Sequence, residues 1–158
     1  MHERARSLDP SDVYAAADLG WDYVRFGHID KGLEYFDKAI LASPYDPARA
    51  HWYGGKAVIN FGLKRYDQAI EQARQAIAIN PNYVHYIHSV LVAALALTGH
   101  EAEAREALQR YLALPSSAGF KTIAAFKAYY SAPGGDPARV ESNERTYDGL
   151  RKAGMPEE

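Results

Sequence analysis

The amino-acid sequence predicts an all-α fold in which three helix pairs stack as a solenoid and two further helices close the C-terminal end. Three observations carry this: a segment that recurs at near-constant spacing, a proline closing each recurrence, and small residues where paired helices must approach. Residues 28–40, 65–77 and 100–112 align without gaps, their starts 37 and then 35 residues apart. Such a period is the mark of a repeat array in which each unit buries its apolar face against the next. Pro44, Pro81 and Pro115 follow the three windows closely, and proline ends a helix because it lacks a donor and clashes with the preceding turn. The fifteen residues before each window, Val13 to Gly27, Ala50 to Lys64 and His85 to Gly99, also align and read as the first helix of each pair. The units are therefore about 13–46, 50–83 and 85–115 within one domain spanning 1–158.

Within the first helices Gly20 and Ala57 are small; Gly32, Ala69 and Ala104 match them early in the second helices, and Ala39 and Ala76 late in them. Large residues fill between, including Leu19, Tyr23, Phe36, Ile40, Tyr53, Tyr66, Ile77, Leu91, Leu95, Leu108 and Leu112. This alternation suits closely packed helices. Asp9-Pro10 and Asp46-Pro47 place an N-cap carboxylate before a proline whose φ suits the first helical position. Gly27 and Gly99 stand where the first helix turns into the second and a left-handed residue is needed. In the second pair Gly62 comes two residues early and Lys64 holds the turn, which predicts a longer or differently shaped connection. Residues 117–131 carry Phe120, Ile123, Phe126 and Tyr130 at helical spacing, ahead of the breaker Pro133-Gly134-Gly135. Asp136-Pro137 then caps a last helix over 136–153, with Val140, Tyr147 and Leu150 on one side and a polar middle from Glu141 to Arg145. It reads as the terminal unit with one wet face that a repeat stack requires.

Composition narrows the function. Of 158 residues 47% are hydrophobic and 24% charged, the balance of a folded domain. With 18 Lys and Arg against 20 Asp and Glu there is no basic field to neutralise phosphates, so nucleic acid is not the expected partner. The absence of cysteine excludes disulfides, thiolate nucleophiles and thiolate zinc sites. The N-terminal run Met1 to Arg6 leads into Ser and Asp, and the longest aliphatic run is Val90 to Leu97, far short of a membrane span. The chain reads as cytosolic, soluble and without a membrane partner.

The spacing Leu19-Gly20, Tyr23, Gly27, Gly32, Phe36, Ala39, Pro44 resembles the tetratricopeptide repeat, a helix pair of about 34 residues. That resemblance covers roughly Val13 to Pro115 and implies a right-handed helical-hairpin solenoid that binds proteins and carries no catalytic chemistry or cofactor. The second unit keeps Tyr53, Ala57, Tyr66, Ala69, Ala76 and Pro81 but has Lys56 and Asn60 where the family has Leu and an aromatic; the third departs furthest, with Val92 and Tyr111 at small positions. A narrower likeness lies toward the C-terminus. Asn80-Pro81-Asn82-Tyr83, Ala93 to Gly99, Asp136-Pro137 and the run Gly149 to Glu157 are similar to the tetratricopeptide tails of bacterial adenylate or guanylate cyclases and some transcriptional regulators. This implies a docking or sensing part of a signalling system, without the cyclase catalytic pattern.

At about 100° per residue, places 2, 5, 9 and 12 of each first helix lie opposite the packing side and should line the hollow of the solenoid. They hold Tyr14, Ala17, Trp21 and Val24; His51, Gly54, Val58 and Phe61; and Tyr86, Ser89, Ala93 and Ala96, with Arg25 at the rim. The candidate groove is thus Tyr14, Trp21, Val24, Arg25, His51, Val58, Phe61, Tyr86 and Ser89, an aromatic and apolar lining suited to a helical or extended segment. Family members that grip a C-terminal carboxylate use Lys, Asn and Arg on these stripes, where this chain has Ala17, Trp21, Gly55, Tyr86 and Val90, so an acidic tail is disfavoured. The competing reading makes Trp21 and Phe61 core residues, with the hollow filled by residues 117–131.

Other chemistry finds little support. His85 and His88 are three apart and could meet His51 at a metal, but hydrogen-bonded or capping histidines explain them more simply. Gly54-Gly55-Lys56 lacks the remaining residues of a phosphate loop and suits close helix packing. No nucleophile elbow, dinucleotide turn or convergent carboxylate pair occurs. Asp67, Glu71, Glu101 and Glu103 sit near second-helix starts and Arg151-Lys152 at a helix end, where the macrodipole favours them. The primary expectation is a protein–protein interaction module. The alternative is a self-assembly element, a homodimer through exposed Trp52 and Tyr129, with the groove filled by its own C-terminal helix.

Overall fold

Eight α-helices and no strand occur among the residues that the computed structural model describes, 13–26, 28–82, 85–130 and 137–158. They are α1 (Val13–Arg25), α2 (Ile29–Ala42), α3 (Arg49–Gly62), α4 (Tyr66–Ile79), α5 (His85–Leu97), α6 (Glu101–Ala113), α7 (Ile123–Tyr130) and α8 (Pro137–Ala153), with a short 3-10 turn over Pro115–Ser117. The all-helical solenoid expected from the sequence is the fold adopted: α1 packs on α2, α3 on α4 and α5 on α6. The predicted caps at Asp9-Pro10 and Asp136, the turn at Gly27 and the side chain of Arg25 lie outside the described residues.

The small residues sit at the helix crossings. A Cβ on Gly32 would lie 2.5 Å from Val24 Cγ2 and 2.7 Å from the Gly20 carbonyl oxygen, so a side chain there would force α1 from α2. In the second pair Ala57 and Ala69 take the corresponding places, both wholly buried. Around these contacts the apolar side chains form two continuous cores. One joins Leu19, Phe36 and Trp52 at the N-terminal end; the other runs from Phe61 through α5 to Tyr111, Phe126, Tyr147 and Leu150. Burying each such side chain contributes about 1.5–3 kcal/mol.

Trp52, expected at the surface, is 2% exposed. It lies in the N-terminal core with the Tyr14 ring edge-on at 6.1 Å, so the apolar demand that would favour self-association is met inside the chain. Tyr129 remains 67% exposed.

The turns share one geometry. The backbone N–H five residues on donates to a carbonyl of the preceding helix in His28 to Tyr23 (2.8 Å), Arg65 to Asn60 (2.8 Å) and His100 to Leu95 (2.9 Å), the bond of a Schellman-type helix end. Lys64 takes φ +61° where Gly99 takes +85°. The turn after α3 is therefore neither longer nor differently shaped, because the same bond forces Lys64 into the left-handed region. At the start of α3, Asp46 Oδ1 accepts the Ala48 N–H at 2.8 Å, while the regular helix begins at Arg49.

Helix α7 starts at Ile123, six residues later than the 117–131 pattern suggests. The intervening groups are spent elsewhere: Tyr111 donates its hydroxyl to the Phe120 carbonyl at 2.7 Å, and the Phe120 N–H bonds the Ser117 carbonyl at 2.8 Å. Thr122 Oγ1 then accepts the Ala125 N–H at 3.2 Å. The free N–H groups of Ile123 and Ala124 donate at 2.9 Å to the carbonyls of Pro156 and Glu157, so the tail after α8 caps α7. Helix α8 lies chiefly along α5, so closely that a Cβ on Gly149 would stand 2.6 Å from Ala93 Cα. Ala93 holds one of the places assigned to the hollow. The third repeat's trough is thus occupied by α8, with Phe126 and Tyr130 of α7 reaching the hollow beside it. No helix among the described residues is long and apolar enough to cross a membrane.

Candidate functional site

A cavity of about 320 Å³ opens where the trough meets α8. One side is Trp21 of α1 with Val58 and Phe61 of α3; the floor is Tyr86, Ser89 and Val90 of α5; the far side is Phe126 and Tyr130 of α7 with Ser142, Asn143, Thr146 and Tyr147 of α8. Among the described residues no Lys, Arg, Asp or Glu side chain lines it.

Of the nine candidate groove residues, Trp21, Val58, Phe61, Tyr86 and Ser89 meet at this cavity. Val24 does not; it is wedged over Gly32 between α1 and α2. Tyr14 and His51 are exposed away from it. The Tyr14 hydroxyl donates to Asp46 Oδ2 at 2.8 Å, and the His51 ring lies 5.6 Å from that of Trp21. Phe61 is 1% exposed and so serves the core as well as the cavity wall.

Trp21 is positioned from beneath. Phe36 meets it edge-on at 5.1 Å, and a Cβ at Gly55 would come within 2.7 Å of its Cζ2, so Gly55 makes the space the indole uses. Its Nε1 is buried without a hydrogen-bond partner among the described residues. Across the cavity, His85 stacks on Phe120 at 3.8 Å and shares a 2.9 Å hydrogen bond with the Tyr130 hydroxyl. Burial pushes the Tyr130 phenol up to about 12.

Charge stays at the rim. Arg145 of α8 donates to the Gly62 carbonyl at 2.8 Å and pairs with Glu141 at 2.7 Å; Lys64 pairs with Glu141 at 3.1 Å. Hydrogen bonding and charge from Lys64, with Arg145 behind it, hold the Glu141 carboxyl below its ordinary range. The histidines considered for a metal are dispersed: His88 Nε2–H donates to the Pro81 carbonyl at 3.1 Å, His85 serves Tyr130, and His51 faces Trp21 with the Asp18 charge nearby. Burial lowers the pKa of all three.

The wall from α7 and α8 lies outside the nine candidate groove residues, although the competing reading brings residues 117–131, and the alternative a C-terminal helix, into the hollow. One signal was available: Gly149 lies well inside a helical stretch, where glycine costs about 1 kcal/mol relative to alanine, and such a glycine marks a close backbone approach.

Stacked helix hairpins around a lined trough define a helical-repeat solenoid. Residues 17–84 match the tetratricopeptide repeat family, a family of protein–protein interaction scaffolds, and the chain's fold is the tetratricopeptide-type solenoid. The chain is 27% identical over 89 residues to Hsp70-Hsp90 organizing protein 3 of Arabidopsis thaliana, an alignment covering 56% of this chain but only 15% of that protein. Among solved structures, MamA superposes with a TM-score of 0.66 at 24% identity, over 96% of this chain and 84% of that one. The first tetratricopeptide domain of Spaghetti (RPAP3), solved with the HSP90 peptide SRMEEVD, gives 0.58 at 20% identity over 90% and 96%. YrrB, described as having an unusual peptide-binding site, gives 0.63 at 19% identity over 96% and 77%. At these identities the likeness is one of fold.

Proposed function

We propose that this chain is a docking module that holds a helical or extended segment of a partner protein by an apolar or aromatic anchor seated in the trough cavity. The carrying observation is the cavity itself: aromatic side chains from α1, α3, α5, α7 and α8 converge on it, and no charged side chain among the described residues does. Concave, mainly apolar pockets with a few polar groups are the usual form of a binding site, and buried aromatics supply the dominant contacts. The peptide in the RPAP3 structure, SRMEEVD, is acidic; no cationic side chain among the described residues lines the cavity, which supports a different ligand chemistry. The likeness of the C-terminal segments to cyclase tails supports placing the module in a signalling system.

The test is affinity measured on peptides selected from a display library against the whole chain. Trp21→Ala should weaken their binding by roughly 30-fold, the effect of losing about 2 kcal/mol at an anchor contact. Unchanged affinity, with a sharply lowered Tm, would make Trp21 a core residue only. Self-association is the competing reading, supported by exposed Tyr129, whose ring stands edge-on to Phe120 at 5.2 Å; a mass independent of concentration in light scattering excludes it.

A further inference from the structure

Trp21 Nε1 is a donor buried in the cavity wall with no partner among the described residues; the cavity's hydroxyl and amide groups differ in whether their hydrogen bonding is already spent. The Ser89 hydroxyl donates to the Tyr86 carbonyl at 2.8 Å, Thr146 donates to the Ser142 carbonyl at 3.0 Å, and the Tyr130 hydroxyl is engaged with His85. Asn143 is half engaged. Its Nδ2 donates to the Tyr130 carbonyl at 3.2 Å, and since a carbonyl only accepts, the amide orientation is set and Oδ1 is left as an unused acceptor. The Ser142 hydroxyl on the same helix makes no hydrogen bond among the described residues. Both belong to α8, and both residues line the cavity together with rings contributed by the repeats and α7.

We propose that the occupant of this cavity is an aromatic side chain bearing a donor at its far edge, a tyrosine or tryptophan of the partner segment, with Asn143 Oδ1 and the Ser142 hydroxyl of α8 receiving that donor. This rests on docking at the trough and specifies its chemistry. Size agrees, because about 320 Å³ is at the small end of ligand pockets, which run from roughly 300 to 1,000 Å³, and suits a ring better than a length of chain. The walls agree, since Trp21, Phe61, Phe126 and Tyr147 offer faces and edges to an inserted ring. The polar side decides among rings. An entirely apolar occupant would displace water from an acceptor and leave it unpaired, whereas a donor-tipped ring replaces the lost bond. A site built for a donor rejects the analogue without one more strongly than an apolar site rejects an extra hydroxyl. No side chain of the lining among the described residues balances a charge, so a charged tip is disfavoured. Specificity therefore resides in α8, outside the repeats.

The test uses the full chain and a matched pair of probes, 4-methylphenol and toluene, titrated by NMR while following the indole N–H signals of Trp21 and Trp52, the two tryptophans present. The expected result is saturable binding of 4-methylphenol that moves the Trp21 signal and is at least about five-fold tighter than that of toluene, one net hydrogen bond's effect. Asn143→Leu should bring the ratio to about one. If that variant disturbs the Trp52 signal, Ser142→Ala is measured instead and should lower the ratio. Equal or tighter binding of toluene, or a preference that survives these changes, overturns the donor-tipped ligand and leaves trough docking standing. Binding of neither probe, with Trp21 unmoved, removes both.

Discussion

Lys64 shows how a side chain and its backbone can be at odds. It stands at φ +61°, the only non-glycine with positive φ among the described residues, in a turn whose counterpart is Gly99. A side chain in that region costs about 1–2 kcal/mol relative to relaxed backbone, and its compensation is an exposed ion pair with Glu141, a class of contact that contributes little. Lys64→Gly is therefore expected to raise stability by about 0.5–1 kcal/mol, a Tm gain of a few degrees; a lower Tm would show that the tie to α8 outweighs the strain. The location of this turn is legible in the sequence, but its conformation is not. The three-repeat pattern marks where a glycine belongs, and only the Arg65 to Asn60 bond shows that lysine is held in the glycine conformation. Trp52 teaches a related lesson. Helical counting identifies a face, yet which neighbour covers that face depends on how the first pair stacks on the second.

The histidines give a second residue-scale expectation. Burial lowers the pKa of His51, His85 and His88 in the folded chain, so between those values and about 6.5 the unfolded chain binds more protons. Stability then rises with pH across that window and is lost as pH falls below about 6.5. Thermal melts should show a lower Tm at pH 5.5 than at pH 7.5, before carboxylates protonate; a Tm unchanged or higher on acidification would contradict this.

At the scale of elements, α8 is the helix whose role the repeat pattern could not supply. Its polar middle suggests a wet cap, but of residues 141–145 only Glu141 and Glu144 are exposed, while Ser142, Asn143 and Arg145 are half-buried. Its second half is different: Tyr147, Gly149, Leu150 and Ala153 are buried. A period repeats only what neighbouring units share, so it carries no information about a helix that folds back across them. Gly149 is the element's sharpest test. In an exposed helix Gly→Ala stabilises by roughly 1 kcal/mol, but here the new methyl would meet the Ala93 backbone at 2.6 Å. Gly149→Ala should instead destabilise by about 1–3 kcal/mol, the usual penalty of overpacking, measured by urea unfolding. A gain in stability would mean that α8 does not rest in the trough. Helix α7 depends on the same element, because its first N–H groups are capped by carbonyls just beyond α8.

At the scale of the molecule, the solenoid creates a hollow and α8 divides it, leaving an aromatic cavity beside Trp21. The repeat-facing half of that cavity follows from counting along the first helices, which assigns Trp21, Val58, Phe61, Tyr86 and Ser89 to one stripe. The other half comes from long-range closure: the competing reading of the sequence brings Tyr130 with residues 117–131 to the hollow, but the places of Asn143 and Tyr147 are seen only in three dimensions. Docking at this cavity is the central claim, and the two tryptophans test it directly, since one lines the cavity and the other is buried in the N-terminal core. A peptide selected for binding, titrated into the isotope-labelled chain, should shift or broaden the Trp21 indole N–H signal and leave that of Trp52 in place. A bound peptide that leaves Trp21 unmoved would contradict the account.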